Sequence, residues 1–283
     1  MKYRRFIALG DSMTEGMSDE IINGFYRGWA DRTADVLAKA NSDFTYANLA
    51  IRGKLLQQVI DDQIPLVAKF VTGKDTLVSF HAGANDVIRP NYDANLAKPR
   101  YRQGVKELTE TGATVMLFTV VERVDGKGKV ADLWHQRFSE FNEYIRNVAK
   151  EFGAILVESK GYEFLSDRRL LNRDRLHLNS EGHWRLSQGV LEKLNYPFDE
   201  KWKVPLGPTP ERSKIAILVE NSIWIFTFVF LGSGAECVAF LREMAGVVNI
   251  QCQSPGGLSN FCGEKHRFLR AIISPCFLLS TPL

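Results

Sequence analysis

Short apolar runs alternate with amphipathic stretches along the first two hundred or so residues, and this alternation narrows the fold more than any other feature. Residues 3–9, 44–49, 76–80, 113–121 and 154–157 read as strands; 113–121 is almost wholly apolar, as a strand covered on both faces must be. Between and after them, helical periodicity marks 28–38, 55–67, 94–110, 130–151 and 180–194. Pro65 is expected to break or kink the second of these helices, and Pro99 sits in the first turns of the third. Residues 13–27 and 122–129 read as polar, glycine-punctuated loops. Strand and helix alternating in units of roughly 30 to 40 residues call for an α/β domain, a parallel sheet with helices on both faces. In such a sheet the loops that follow the strands gather along one edge.

Four short polar pieces fall at those strand ends. Gly10-Asp11-Ser12-Met13-Thr14-Glu15-Gly16 follows the first strand, Asn48-Leu49-Ala50-Ile51-Arg52-Gly53 the second, Gly83-Ala84-Asn85-Asp86 the third, and Asp174-Arg175-Leu176-His177 comes after the fifth. A serine hydroxyl is a weak nucleophile that needs an imidazole to take its proton, and the imidazole needs a carboxylate to set its tautomer. A glycine lets a backbone N–H approach a substrate without a Cβ in the way, and an asparagine supplies an amide donor. Each piece alone is more often an ordinary turn. Their joint occurrence, in the order the fold requires, is what carries chemistry.

Competing assignments are weaker. Asp11, Asp86 and Asp174 could be imagined around a metal, but acidic residues beside turns usually accept from nearby backbone N–H groups. His183 lies near a helix start without an aspartate three residues before it, and reads as a packing or capping residue; His81, at a strand end, reads as structural. Tyr26, Trp29 and Arg52 flank the motifs and are candidates to line a groove. The chain has no H-E-x-x-H, no G-x-x-x-x-G-K-[ST] and no G-x-G-x-x-G, which removes the sequence grounds for a zinc peptidase, a P-loop protein or a dinucleotide-binding protein.

With all four pieces in place, residues 3–195 closely resemble the SGNH, or GDSL-type, hydrolase family of esterases and lipases. The resemblance implies a three-layer α/β/α sandwich with a central parallel sheet, related to flavodoxin. It implies Ser12 as nucleophile, His177 as general base and Asp174 as the group that orients the imidazole. The oxyanion donors it implies are the backbone N–H of Ser12, the backbone N–H of Gly53 and the side-chain amide of Asn85. The expected reaction is hydrolysis of an ester through an acyl-enzyme, with no metal and no cofactor, on a small-molecule, lipid or carbohydrate ester. The alternative is a non-catalytic or membrane-associated binding protein that keeps the hydrolase fold.

Charge argues against a nucleic-acid partner, since a formal net charge of +3 over 283 residues comes without any Lys/Arg tract. The N-terminal apolar run is too short for a secretory signal, which points to a cytoplasmic protein. Three segments are expected: the hydrolase domain over 1–195, a proline-containing linker or wrapping arm over 196–213, and an atypical tail over 214–283. Only nine of the 70 tail residues are charged, against 60 of the first 213, and all four cysteines, Cys237, Cys252, Cys262 and Cys276, lie there. Their spacing fits no C-x-x-C zinc or redox pattern. Residues 222–235 are uncharged and shorter than a bilayer span; extended to 241 across Glu236, they offer a route to peripheral or C-terminally anchored membrane association. A shifted reading frame would also produce such a break in composition.

Overall fold

The computed structural model describes residues 3–122, 129–208 and 213–224. Its elements, in chain order, are β1 (Arg5–Gly10), α1 (Ser12–Glu15), β2 (Ile21–Ile22), β3 (Phe25–Tyr26), α2 (Gly28–Ala40), β4 (Thr45–Asn48) and α3 (Leu56–Val67). They continue with β5 (Thr76–His81), α4 (Ala84–Val87), α5 (Ala94–Glu110), β6 (Thr114–Phe118), α6 (Lys129–Phe152), β7 (Ile155–Val157), α7 (Ser180–Lys193) and α8 (Lys214–Trp224).

Five strands form one parallel sheet in the order β4-β1-β5-β6-β7. The chain leaves β1 for one neighbour, β4, then crosses back to β5 on the other side, so the strand order reverses beside β1. A crevice opens at the carboxyl ends of the strands at such a point, and ligands bind there. Side-chain alternation builds the two flanking layers. Ile7, Leu9, Val78, Phe80, Val115 and Leu117 face α3, α5 and α6, whereas Phe6, Ala8, Leu77, Met116 and Phe118 face α2 and α7. Both faces are buried, which is why the central strands are apolar almost without interruption. Fully burying a side chain such as Phe6 or Phe80 stabilises the fold by about 2 to 3 kcal/mol.

The sheet and its helices agree with the α/β sandwich expected from the sequence, and three details differ. Neither proline breaks its helix: α3 carries Pro65 in its last turn and α5 carries Pro99 near its start. Each proline forgoes one i→i−4 bond, to the carbonyl of Asp61 or of Asn95, and the helices hold through packing: Ile60, Ile64 and Val67 of α3 and Tyr101, Val105 and Leu108 of α5 are buried in the core. The third difference is residues 13–27. They are not a loop but the short helix α1 followed by a two-stranded hairpin, β2 paired antiparallel with β3. Asn23 and Gly24 make its turn with φ of 52° and 84°, the doubly left-handed geometry that a two-residue hairpin needs.

Residues 122–129 fall largely outside the described residues, as does the uncharged run beyond Trp224. The arm after α7 packs on the domain rather than standing clear of it. Trp202 is buried against Gly189, with the Tyr162 ring tilted against it at 4.9 Å, and Arg185 donates to the carbonyls of Trp202 and Val204. In α8, Ile215, Leu218 and Val219 are exposed. Among the described residues no helix is long and apolar enough to cross a membrane.

Candidate active site

Ser12 is the first residue of α1, placed there by the end of β1. Gly10 has φ +150°, and a Cβ on it would lie 2.4 Å from the His81 carbonyl oxygen, so the crossing of β1 past β5 admits only glycine. Buried Gln63 accepts from the Gly10 N–H and donates to its carbonyl, both at 2.9 Å, which satisfies the last backbone groups of the strand. Asp11 then caps α1, its Oδ1 accepting from the Met13 N–H at 3.1 Å. Among the described residues the Ser12 N–H has no hydrogen-bond partner.

His177 arrives on a tight loop. The Leu171–Leu178 bridge closes its base, Asn172 donates to the His177 carbonyl at 2.8 Å, and Arg175 takes a left-handed φ of 63° at its tip. A left-handed non-glycine residue costs about 1 kcal/mol, strain of a kind that gathers at functional sites. The loop turns the His177 Nε2 to within 2.9 Å of Ser12 Oγ and its Nδ1 to within 2.7 Å of Asp174 Oδ2. Asp174 Oδ1 accepts from the N–H groups of Leu176 and His177 at 2.9 and 3.0 Å. Burial raises the Asp174 carboxyl, but these bonds from the His177 ring and two N–H groups outweigh it and hold the group below the ordinary carboxylate range. A carboxylate at Nδ1 assigns the proton to that nitrogen and leaves the Nε2 lone pair facing the serine.

Gly53 and Asn85 complete the surroundings. The Lys54 N–H closes a turn onto the Ile51 carbonyl at 3.4 Å, with Gly53 in third position at φ +79°, where a type II turn demands a positive φ. The Gly53 N–H makes no hydrogen bond among the described residues, and a Cβ there would meet nothing within 4 Å. Asn85 donates to the Lys54 carbonyl at 3.0 Å and to Asp11 Oδ2 at 3.3 Å. Asn48 joins the first two motifs, donating to the Thr14 carbonyl at 2.8 Å while its Oδ1 accepts from the Ala50 N–H.

The structure therefore gathers Ser12, Asp174, His177, Gly53 and Asn85 at one edge of the sheet. Of the flanking residues, Arg52 lies over the Tyr26 ring at 5.2 Å beside the motifs, whereas Trp29 is buried between Phe6 and Phe118. His183 is fully buried, donates to the Met17 carbonyl at 3.1 Å and is pushed down to about 4 by burial, so it stays neutral and packs. His81 is stacked on Phe118 and likewise lowered to about 4. Two further contacts escape the motif reading. Asp86 caps α3, accepting from the Leu56 N–H at 2.8 Å, and Asn172 donates to Ser18 Oγ, tying the His177 loop to the segment before the hairpin. Among the described residues no three His, Cys, Asp or Glu side chains are grouped to hold a metal.

Asp11 makes the site costly to maintain. Burial raises its carboxyl to about 6, opposed by the Met13 N–H and His177, and reinforced by the charges of Asp86 and Glu15. A raised carboxyl keeps its proton longer in the native state, so the penalty is absent below the unfolded value near 4 and grows as pH rises. It is complete above about 6, where it amounts to about 3 kcal/mol. Asparagine caps as well as aspartate but does not titrate. Urea unfolding between pH 4 and 8 should therefore show a larger loss of stability in the parent than in Asp11→Asn, where Asp31 and Asp86, also raised by burial, still contribute; parallel profiles would contradict the assignment.

The sequence model of the GDSL-like Lipase/Acylhydrolase family matches residues 8–185. No curated protein matches the chain. Among solved structures it is similar to Axe2, an acetylxylan esterase from Geobacillus stearothermophilus, at 17% identity and a TM-score of 0.55, over 71% of this chain and 100% of that one. It is similar to the psychrotrophic esterase EstA from Pseudoalteromonas sp. at 16% identity and a TM-score of 0.51, over 68% and 97% of the two chains. For a lipolytic protein of the G-D-S-L family from Veillonella parvula the values are 19%, 0.52, 66% and 96%. With the family model covering more than half of the sequence, the chain belongs to the GDSL-like lipase/acylhydrolase family and is a hydrolase that acts on ester bonds.

Proposed function

We propose that the protein is a serine esterase that works through an acyl-enzyme, with Ser12 as nucleophile, His177 as base and Asp174 as its orienting carboxylate. The observation that carries this reading is the hydrogen-bonded chain from Asp174 Oδ2 through both ring nitrogens of His177 to Ser12 Oγ. His177 takes the serine proton as Oγ attacks the ester carbonyl, then returns it to the leaving alcohol. Water, deprotonated by the same imidazole, releases the acid. The N–H groups of Ser12 and Gly53, without partners among the described residues, and the Asn85 amide receive the oxyanion in both tetrahedral intermediates.

The acetylxylan esterase has been solved as catalytic mutants in a serine, an aspartate and a histidine three residues after that aspartate. Asp174 and His177 have the same spacing, which supports assigning them the corresponding roles and makes short acyl groups on sugars the first substrates to try. Residues 8–185 lie within the proposed 1–195 domain, against which Trp202 of the proposed arm packs.

The test is rapid acid quenching during turnover of p-nitrophenyl acetate, followed by peptide mass spectrometry. The Ser12 peptide should carry one acetyl group in the parent and none in Ser12→Ala. Turnover by Ser12→Ala at the parent's rate would favour direct attack by water and remove the nucleophile assignment.

A further inference from the structure

Glu15 ends the helix that Ser12 begins, and its carboxylate collects donors from across the site. The Arg52 backbone N–H donates to Oε2 at 2.8 Å, Arg52 Nε lies 3.1 and 3.0 Å from the two oxygens, and Arg52 Nη2 lies 2.5 Å from Oε1. The Glu15 side chain is only 11% exposed. An exposed ion pair contributes little, but this one is largely withdrawn from water and includes a backbone donor.

The backbone that Glu15 holds is the residue immediately before Gly53. The 51–54 turn is anchored at its start by the Ile51 N–H on the Gly10 carbonyl at 3.3 Å, and at its end by Asn85 on the Lys54 carbonyl. Among the described residues its middle is held by Glu15, which accepts from the Arg52 N–H and does so from the helix that carries Ser12. The oxyanion N–H of Gly53 and the nucleophile are therefore joined through a single carboxylate. Arg52 also neutralises that carboxylate, which would otherwise stand as a negative charge beside a developing oxyanion. By lying over Tyr26 it links the turn to the hairpin.

We propose that Glu15 is a positioning residue for ester hydrolysis: its hydrogen bond from the Arg52 backbone N–H, supported by the Arg52 guanidinium, keeps the Gly53 N–H in register with Ser12, so that it acts on the transition state without touching substrate. The inference rests on the serine esterase reading and adds to it a residue outside the proposed catalytic and oxyanion set. A glycine-containing turn that is loosened in the middle aims its N–H less well, and a misaimed donor is lost from the transition state more than from the bound substrate.

The experiment compares Glu15→Ala, Glu15→Gln, Arg52→Ala and the Glu15→Ala/Arg52→Ala double variant on p-nitrophenyl acetate. An aryl trifluoromethyl ketone, which forms a hemiketal oxyanion with an active serine, is the second probe. Glu15→Ala should lower kcat by about 10- to 100-fold with KM within about threefold, a fraction of a full oxyanion donor. The ketone's inhibition constant should rise by the factor by which kcat/KM falls. Glu15→Gln, which retains an acceptor for the Arg52 N–H, should recover most of the rate. Arg52→Ala strips the buried carboxylate of its counter-charge, leaving it only the backbone N–H of residue 52, and should be worse than the double variant, a coupling that independent sites would not show.

Kinetics within about threefold of the parent in Glu15→Ala, a rise in KM at constant kcat, or an unchanged ketone constant would each overturn the proposal, since the oxyanion register would then not depend on Glu15. Fluorophosphonate labelling of the parent separates the two readings. Absence of label at Ser12 removes the serine esterase reading and the positioning role together; label in the parent with unaltered Glu15→Ala kinetics removes only the second.

Discussion

Replacing His177 by alanine is expected to lower kcat for p-nitrophenyl acetate at pH 8 by about 10⁴- to 10⁶-fold, with the fold intact by circular dichroism. Three observations set that size. Ser12 Oγ has the His177 Nε2 as its hydrogen-bond partner, at 2.9 Å. Asp174 spends both oxygens on His177, one on its ring and one on its backbone N–H, so the loop is built around this imidazole. His183, six residues further along, is sealed beneath Met17 and held neutral, which leaves it unable to substitute. Groups that act as one unit do not add, so Ser12→Ala alone and Ser12→Ala with His177→Ala should fall to the same residual rate. The His177 side chain is one-fifth exposed and its removal opens no core cavity, so lost activity would not be lost folding. A His177→Ala enzyme within about tenfold of the parent would mean that the proton goes elsewhere and that the serine mechanism is wrong.

The second large effect is expected at Asn85. Asn85→Ala should cost about 100- to 1,000-fold in kcat while KM changes little, the loss typical of one oxyanion donor. The side chain does two things at once. One donor holds the Lys54 carbonyl and so the end of the Gly53 turn; the other points to Asp11 Oδ2 across a longer 3.3 Å contact that an incoming oxyanion can outcompete. Asn85→Asp should be worse than alanine, because it removes the donors and adds a carboxylate beside Asp11, whose own proton affinity Asp86 and Glu15 already raise. Steady-state kinetics of the two variants decides the matter. If Asn85→Asp exceeds Asn85→Ala in rate, the amide is not facing an oxyanion.

These expectations draw on two kinds of information that differed in how far the sequence displayed them. Period and polarity made the sheet legible: strands buried on both faces must be largely apolar, and Phe6–Leu9 of β1 and Val115–Phe118 of β6 are apolar without a break, while β5 is interrupted between Leu77 and Phe80 only by Ser79. The motif residues were legible because turns that place polar groups at strand ends need particular residue types, and glycines at 10 and 53 report backbone conformations that few other residues adopt. The hairpin was written as plainly in Asn23-Gly24, a two-residue turn signal, yet its strands are two residues each and too short for alternation to show. The effect of the prolines was not legible, since whether a helix runs on through a proline depends on how firmly the turns on either side are packed in the core.

By itself, then, the sequence determined the layered α/β architecture, the edge at which the polar pieces collect, and the residue types gathered there. These follow from local periodicity and from what single residues permit. The tertiary structure alone decided the strand order that opens the crevice beside β1, the 2.9 Å approach of His177 to Ser12, the burial that raises Asp11, and the contact of Glu15 with Arg52. Each of these depends on distances between segments far apart in the chain and on how much water they exclude, and neither quantity has a local signature.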